Sequence, residues 1–276
     1  MRDIVVVSII AACSGLALRR AWWGVLALAV FSYFNPHAWA WGFARTLPAF
    51  QMLFFAVVFS TFMTKDRQPI PKDCRITAFY CLWFYFLLTT TQAYYQELAW
   101  ERLWFVSKIY IPFIFTLILI NTREKLYYLI ITIAASIGIV AVKGGIFAVA
   151  NGFSHRVYGP PKTQFYENNA FAVATLMCVP LLILWYRETS NKIIKYGISA
   201  AIPLCIASAL SSWSRGGLLS LGVLTILLTW HSRRKYLMLP LILIGAYIAM
   251  QNLPDEWFDR MATIETYEED ASAQGR

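Results

Sequence analysis

Apolar residues in this chain come in long runs separated by short polar and basic loops. A helix needs ~20 mostly apolar residues to cross a bilayer, and on that measure the runs predict about ten helices. The first two, residues 4–18 and 21–34, are short and divided only by Arg19 and Arg20, so they tilt, pair as a hairpin, or stop short of a full crossing. The later runs cover residues 46–64, 76–94, 101–121, 125–142, 168–186, 193–212, 218–230 and 236–250. Pro112, Pro180, Pro203 and Pro240 fall inside runs and predict kinks. Aromatic residues gather at run ends, among them Trp22, Trp23, Tyr94, Tyr95, Trp185, Tyr186, Trp230 and Tyr236, as in an interfacial belt. The fold class expected is all-α: a polytopic integral membrane helical bundle of about ten transmembrane helices, the first two short.

Composition strengthens this reading. Of 276 residues 59% are hydrophobic and 14% charged, with a mean hydropathy of +0.54. A soluble domain has ~45–50% apolar and ~25% charged residues, so a soluble protein is excluded. The net charge of +9 invites a nucleic-acid partner, but the basic residues sit in short interhelical loops, where topology explains them. No nucleic acid is expected. The larger share of Lys and Arg lies on the side that holds Arg19, Arg20, Lys65, Arg67, Arg187, Lys192, Arg233 and Arg234, which makes that side cytoplasmic. Arg156 and Arg215 fall on the opposite side, where the rule disfavours them unless they have work to do. Cys13, Cys74, Cys81, Cys178 and Cys205 form no CxxC pair and read as free thiols within apolar surroundings. The apolar run after Met1 and Arg2 lacks a cleavage site and reads as a retained helix. Residues 1–250 form the transmembrane domain. Beyond them the composition turns acidic (Asp255, Glu256, Asp259, Glu265, Glu268, Glu269, Asp270), and residues 251–276 are expected to begin a periplasmic segment of a longer chain.

Three groups of residues could carry chemistry. The first is the stretch from Ser211 to Gly217, where Arg215 and two glycines stand between two apolar runs. An arginine in the bilayer interior costs ~2.5–3.5 kcal/mol on insertion scales. Beside a helix start it suits an anion, phosphate above all; the alternative is an interfacial arginine that snorkels, with glycines for close packing. The second is the loop from His155 to Pro161, leading to Asn168 and Asn169. Either it is a capped polar loop in which an asparagine caps the next helix, or Arg156 meets Arg215 on the outer face with amides from Asn168 or Asn169. Two converging arginines would neutralise a diphosphate. The third is Lys108, inside a run, with Arg102 nearer its outer end. It either pairs with Glu101, seven residues earlier on the same face, or adds a third cation for a lipid-linked phosphate. His37, His155 and His231 have no metal-ligand spacing, and no metal or other cofactor is expected. His155, next to Arg156, is the one candidate for a general base; otherwise it is a loop residue. No other catalytic residue stands out.

On these residues the chain resembles the O-antigen ligase and polymerase superfamily, most closely the O-glycosylation ligases that accompany exosortase A systems. The match runs through Arg2-Asp3, Arg19-Arg20, Asn35-Pro36-His37, Arg156-x-x-Gly159, Asn168-Asn169-x-Phe171-Ala172, Ser214-Arg215-Gly216-Gly217 and the tail from Tyr267 to Ser272. The Ser-Arg-Gly-Gly element is its most specific part. The resemblance implies a metal-independent, inverting glycosyltransferase of the bacterial inner membrane, with its site facing the periplasm. Its donor would be a glycan on undecaprenyl diphosphate, its acceptor a hydroxyl of a lipid, glycan or protein, and membrane lipids would surround it. Arg156 and Arg215 match positions expected to hold the diphosphate. Members of that superfamily continue into a larger periplasmic loop with a catalytic histidine, so this chain would correspond to an N-terminal portion. Two rivals stand beside this reading. One is a transporter or flippase of a lipid-linked or anionic solute, although every Asp and Glu falls in a loop or near a run end. The other is a non-catalytic assembly subunit.

Overall fold

The computed structural model describes residues 2–232 and 235–262. Arg233, Arg234 and the tail from Tyr267 to Ser272 lie outside the described residues. Among the described residues every regular element is helical. Each of the ten apolar runs becomes a helix: α1 (Arg2–Arg19), α2 (Ala21–Tyr33), α3 (Ala49–Met63), α4 (Cys74–Thr91), α5 (Gln96–Leu119), α6 (Arg123–Ala150), α7 (Asn168–Glu188), α8 (Lys192–Leu210), α9 (Arg215–His231) and α10 (Lys235–Asn252). An eleventh, α11 (Asp255–Ala262), follows in the acidic segment, and two 3-10 turns, Pro36–Trp39 and Phe43–Thr46, lie between α2 and α3. The helices start where the local chemistry asks. Asp73, Asn191 and Ser214 cap α4, α8 and α9 by accepting first-turn N–H groups. Helices α5, α7, α8 and α10 each continue through their internal proline.

Four helices, α5 to α8, are long and apolar enough to cross a membrane. Helices α2 and α3 are apolar but only 13 and 15 residues long. At ~1.5 Å per residue they reach about 20 and 23 Å, short of a ~30 Å hydrocarbon core. Only 11% of the apolar window of α5 is buried inside the protein. Large side chains such as Phe62 (76% exposed) and Ile193 (81% exposed) face outward. Water tolerates such a surface poorly and lipid does not, so the chain has the character of a membrane protein.

The chain divides into two compact units, one of residues 1–32 and 36–129, the other of residues 33–35 and 130–276. In the first, α1 packs on α3 around fully buried Ala17, Leu53 and Val57. The Asp3 carboxylate accepts from Gly42 N and Ala44 N, both at 3.1 Å, and so ties the start of α1 to the second 3-10 turn. Helices α4 and α5 pair through Tyr110, stacked on Phe79 at 4.0 Å, and through Trp83 Nε1, which donates to Ser107 Oγ at 3.0 Å. Below them Lys125, 9% exposed, donates to Asp66 Oδ2 at 2.7 Å and Asn121 Oδ1 at 2.6 Å. Lys125 is the first cause, and Asn121 the second, that holds the Asp66 carboxyl below the usual carboxylate range. The second unit is built on α7, whose buried face (Phe171, Ala172, Thr175, Cys178, Val179, Leu182) packs against α8 and α9.

Candidate functional site

The site is a knot at one end of the second unit, where the turn joining α8 to α9 meets the loop joining α6 to α7. Three serines shape the turn, and each has a structural task. Ser211 Oγ donates to His155 O at 2.7 Å, Ser212 Oγ donates to Ala209 O at 2.6 Å, and Ser214 Oγ caps α9 by accepting from Gly217 N at 2.9 Å. All three are buried, at 3% exposure or less. Between them Trp213 takes the left-handed backbone region at φ 56°, unusual for a bulky residue.

The loop is bonded onto this turn. Val157 N donates to Ser211 O at 2.9 Å, and Trp213 Nε1 donates to Phe153 O at 3.1 Å. Arg156, between those two contacts, holds its guanidinium over the Trp213 ring at 5.5 Å from the centroid. Arg215 opens α9 two residues after Trp213 and is half-buried. The two arginines therefore sit on segments that hydrogen-bond each other.

The asparagines divide. Asn168 Nδ2 donates to Ser212 O at 2.8 Å, so its amide braces the turn that bears Arg215. Asn169 Nδ2 donates to Glu167 Oε1 at 3.1 Å. Neither caps α7: Glu167 is the capping residue there, and it makes no side-chain cap bond. The expected capping asparagine is replaced by one that reaches across to the next loop. The glycines have close-packing roles. A Cβ at Gly217 would lie 2.8 Å from Ala172 Cβ, so the α9 start presses directly on α7. A Cβ at Gly159 would collide with Phe165 O, because the loop closes on itself through Gly159 N donating to Tyr166 O at 3.2 Å. Asn35 Nδ2 donates to Pro161 O at 3.0 Å and pins the same loop from below.

Lys108 lies in the other unit, exposed on α5, and among the described residues no ion pair joins it to Glu101. Arg102 of the same helix lines a depression of about 370 Å³ with Phe86, Thr90 and Leu103. His155 is exposed, its ring 6.1 Å from that of Phe147. Among the described residues no cluster of His, Cys, Asp and Glu could hold a metal ion.

Two residues outside the sequence-based candidates belong to the knot. Arg260 Nε donates to Trp213 O at 2.9 Å, and Trp257 Nε1 donates to Leu210 O at 3.0 Å. Both come from α11, whose buried Trp257 and Met261, together with Leu253 just before the helix, pack on Phe153, Leu210, Trp213 and Leu218. The i, i+4 spacing of Trp257 and Met261, with Leu253 four residues before, was the signal for this helix, amid the acids that dominate the segment.

A family model described as a family of unknown function (DUF5935) matches residues 1–191, a stretch that takes in Lys108, Arg156, Asn168 and Asn169. No curated protein and no solved structure matches the chain.

Proposed function

The chain belongs to the DUF5935 family, and we propose that it is a bacterial inner-membrane glycosyltransferase of the ligase or polymerase type. It takes a glycan from an undecaprenyl-diphosphate carrier at the knot of the second unit, which faces the periplasm, and ten of its helices span the bilayer. In the transfer an acceptor hydroxyl attacks the anomeric carbon, the bond from that carbon to the diphosphate oxygen breaks, and the acceptor proton passes to a base. Negative charge grows on the departing diphosphate, so fixed cations beside it lower the barrier. Arg156 and Arg215 are those cations. Asn168 steadies the turn between them, Asn169 follows it at the start of α7, and Lys108, in the first unit, is a separate candidate for a lipid phosphate. His155 is the imidazole on the same loop and the first to test as base.

The observation that supports this reading most is the bonding of the 153–157 segment to the 211–214 turn. The resemblance expects two arginines at one anion, and those two segments carry them. The test is transfer of a labelled glycan from undecaprenyl diphosphate to acceptor in membranes that contain the protein. Arg215→Ala and Arg156→Ala should each lower the rate by ten-fold or more, as loss of a charge-assisted bond of ~1.5–3 kcal/mol implies. Full activity in both variants would refute it.

A further inference from the structure

Trp213 holds a backbone conformation that persists only where its surroundings over-determine it. Those surroundings come from two directions. From the α6–α7 loop, Phe153 O accepts the indole N–H at 3.1 Å. From α11, Arg260 Nε donates to the Trp213 carbonyl at 2.9 Å, while Trp257 and Met261, with Leu253 just before the helix, pack on the Trp213 side chain and its neighbours. Trp257 Nε1 also donates to Leu210 O at 3.0 Å, the carbonyl that accepts Trp213 N at 3.2 Å where α8 ends. Helix α11 thus supplies donors to both ends of the turn. On its exposed side the Trp213 ring carries the Arg156 guanidinium at 5.5 Å.

We propose that α11 is a latch and that Trp213 is the positioning residue through which it sets the arginine pair. Arg260 and Trp257 fix the turn, the turn fixes the plane of the indole, and the indole orients Arg156 toward the anion that Arg215 also meets. The proposal rests on the reading of Arg156 and Arg215 as diphosphate ligands, and it gives the segment after α10 control over them. Arg260 acts here through its bond to the Trp213 carbonyl and not as a ligand.

The experiment is a double-mutant cycle on farnesyl diphosphate binding to the full chain in nanodiscs. Trp213→Leu should weaken binding about five-fold, in the range a cation–π contact supports. In an Arg156→Ala background the same substitution should change it less than two-fold, because residues that act through one another are not additive. In an Arg215→Ala background it should still weaken binding about five-fold. Arg260→Ala should follow Trp213→Leu in all three backgrounds, and Trp213→Phe, which keeps a ring face, should restore most of the affinity. A second readout needs no ligand: amide exchange at residues 153–157 and 213–215 should quicken in Arg260→Ala while the α7 core stays protected. Equal losses for Trp213→Leu in every background, or unchanged exchange in Arg260→Ala, would overturn the latch. Undiminished binding in both Arg156→Ala and Arg215→Ala would instead overturn the diphosphate reading and, with it, the role of the latch.

Discussion

Gly216 and Gly217 are neighbours in the first turn of α9, yet alanine at each should move stability in opposite directions. A Cβ at Gly216 finds Ser214 Oγ at 3.8 Å as its nearest neighbour, an ordinary contact. Only backbone terms then change. Alanine is favoured over glycine by ~1 kcal/mol within a helix, and less in a first turn, so Gly216→Ala should stabilise by roughly 0.5 kcal/mol. A Cβ at Gly217 lies 2.8 Å from Ala172 Cβ and 3.2 Å from Ser214 Cβ. Carbon pairs settle at ~3.5–4.0 Å, so α9 and α7 must part by about 0.7 Å to reach the near edge of that range. Ala172 is fully buried and has no rotamer by which to yield. Overpacking of this kind costs ~1–3 kcal/mol, which the helix gain offsets only in part, leaving a net loss of about 1–2 kcal/mol. In thermal unfolding in nanodiscs that loss should lower the midpoint by about 2–8 °C. The displaced turn carries Arg215, so farnesyl diphosphate affinity should fall in Gly217→Ala and hold within two-fold in Gly216→Ala. Equal shifts for the two alanines, or a Gly217→Ala protein as stable as the parent, would refute the reasoning.

Substitutions at two other residues probe the braces. Asn168→Ala removes the 2.8 Å donor to Ser212 O, a residue with no exposed surface, and should cost roughly 1–3 kcal/mol of unfolding free energy. Asn168→Asp should be worse, because a carboxylate would face that carbonyl oxygen. Lys125→Met removes bonds to Asp66, Asn121 and Leu119 O and should cost roughly 1–3 kcal/mol. The Asp66 carboxyl is held low chiefly by Lys125, so its contribution is present above the unfolded value of ~3.9 and is lost as pH falls through the lowered native one. Midpoints followed from about pH 7 down to pH 3 should show that acid loss in the parent and a flatter limb in Lys125→Met.

The helices were legible in the sequence because apolar run length is a strong signal, and all ten runs reappear, most with ends shifted by a few residues and α6 running on past residue 142 to Ala150. The meeting of the Arg156 loop with the Arg215 turn was legible too, since alternation of the apolar runs puts both on the same side of the expected topology, and the two segments do hydrogen-bond each other. The parts that depend on tertiary contact were not. Asn168 looks like a capping residue from its place before a helix, but its amide reaches a carbonyl 44 residues away. Close packing was one of two readings of Gly217, but its partner, Ala172 on α7, could not be read from the sequence. Helix α11 was hidden because Asp255, Glu256 and Asp259 make the segment look like solvated loop, while Leu253, Trp257 and Met261 supply a buried stripe. Arg260 went with it, since one arginine among acids gives no sign that it bonds a tryptophan carbonyl.

The most direct measurement is the affinity of the protein in nanodiscs for undecaprenyl diphosphate against undecaprenyl monophosphate. A pair of arginines at one anion predicts a clear preference for the diphosphate, at least ten-fold for an added charge-assisted contact of ~1.5 kcal/mol or more. Arg156→Ala and Arg215→Ala should each erase most of that preference. Equal affinity for the two lipids in the parent protein, or a preference that survives the loss of both arginines, would contradict the diphosphate site.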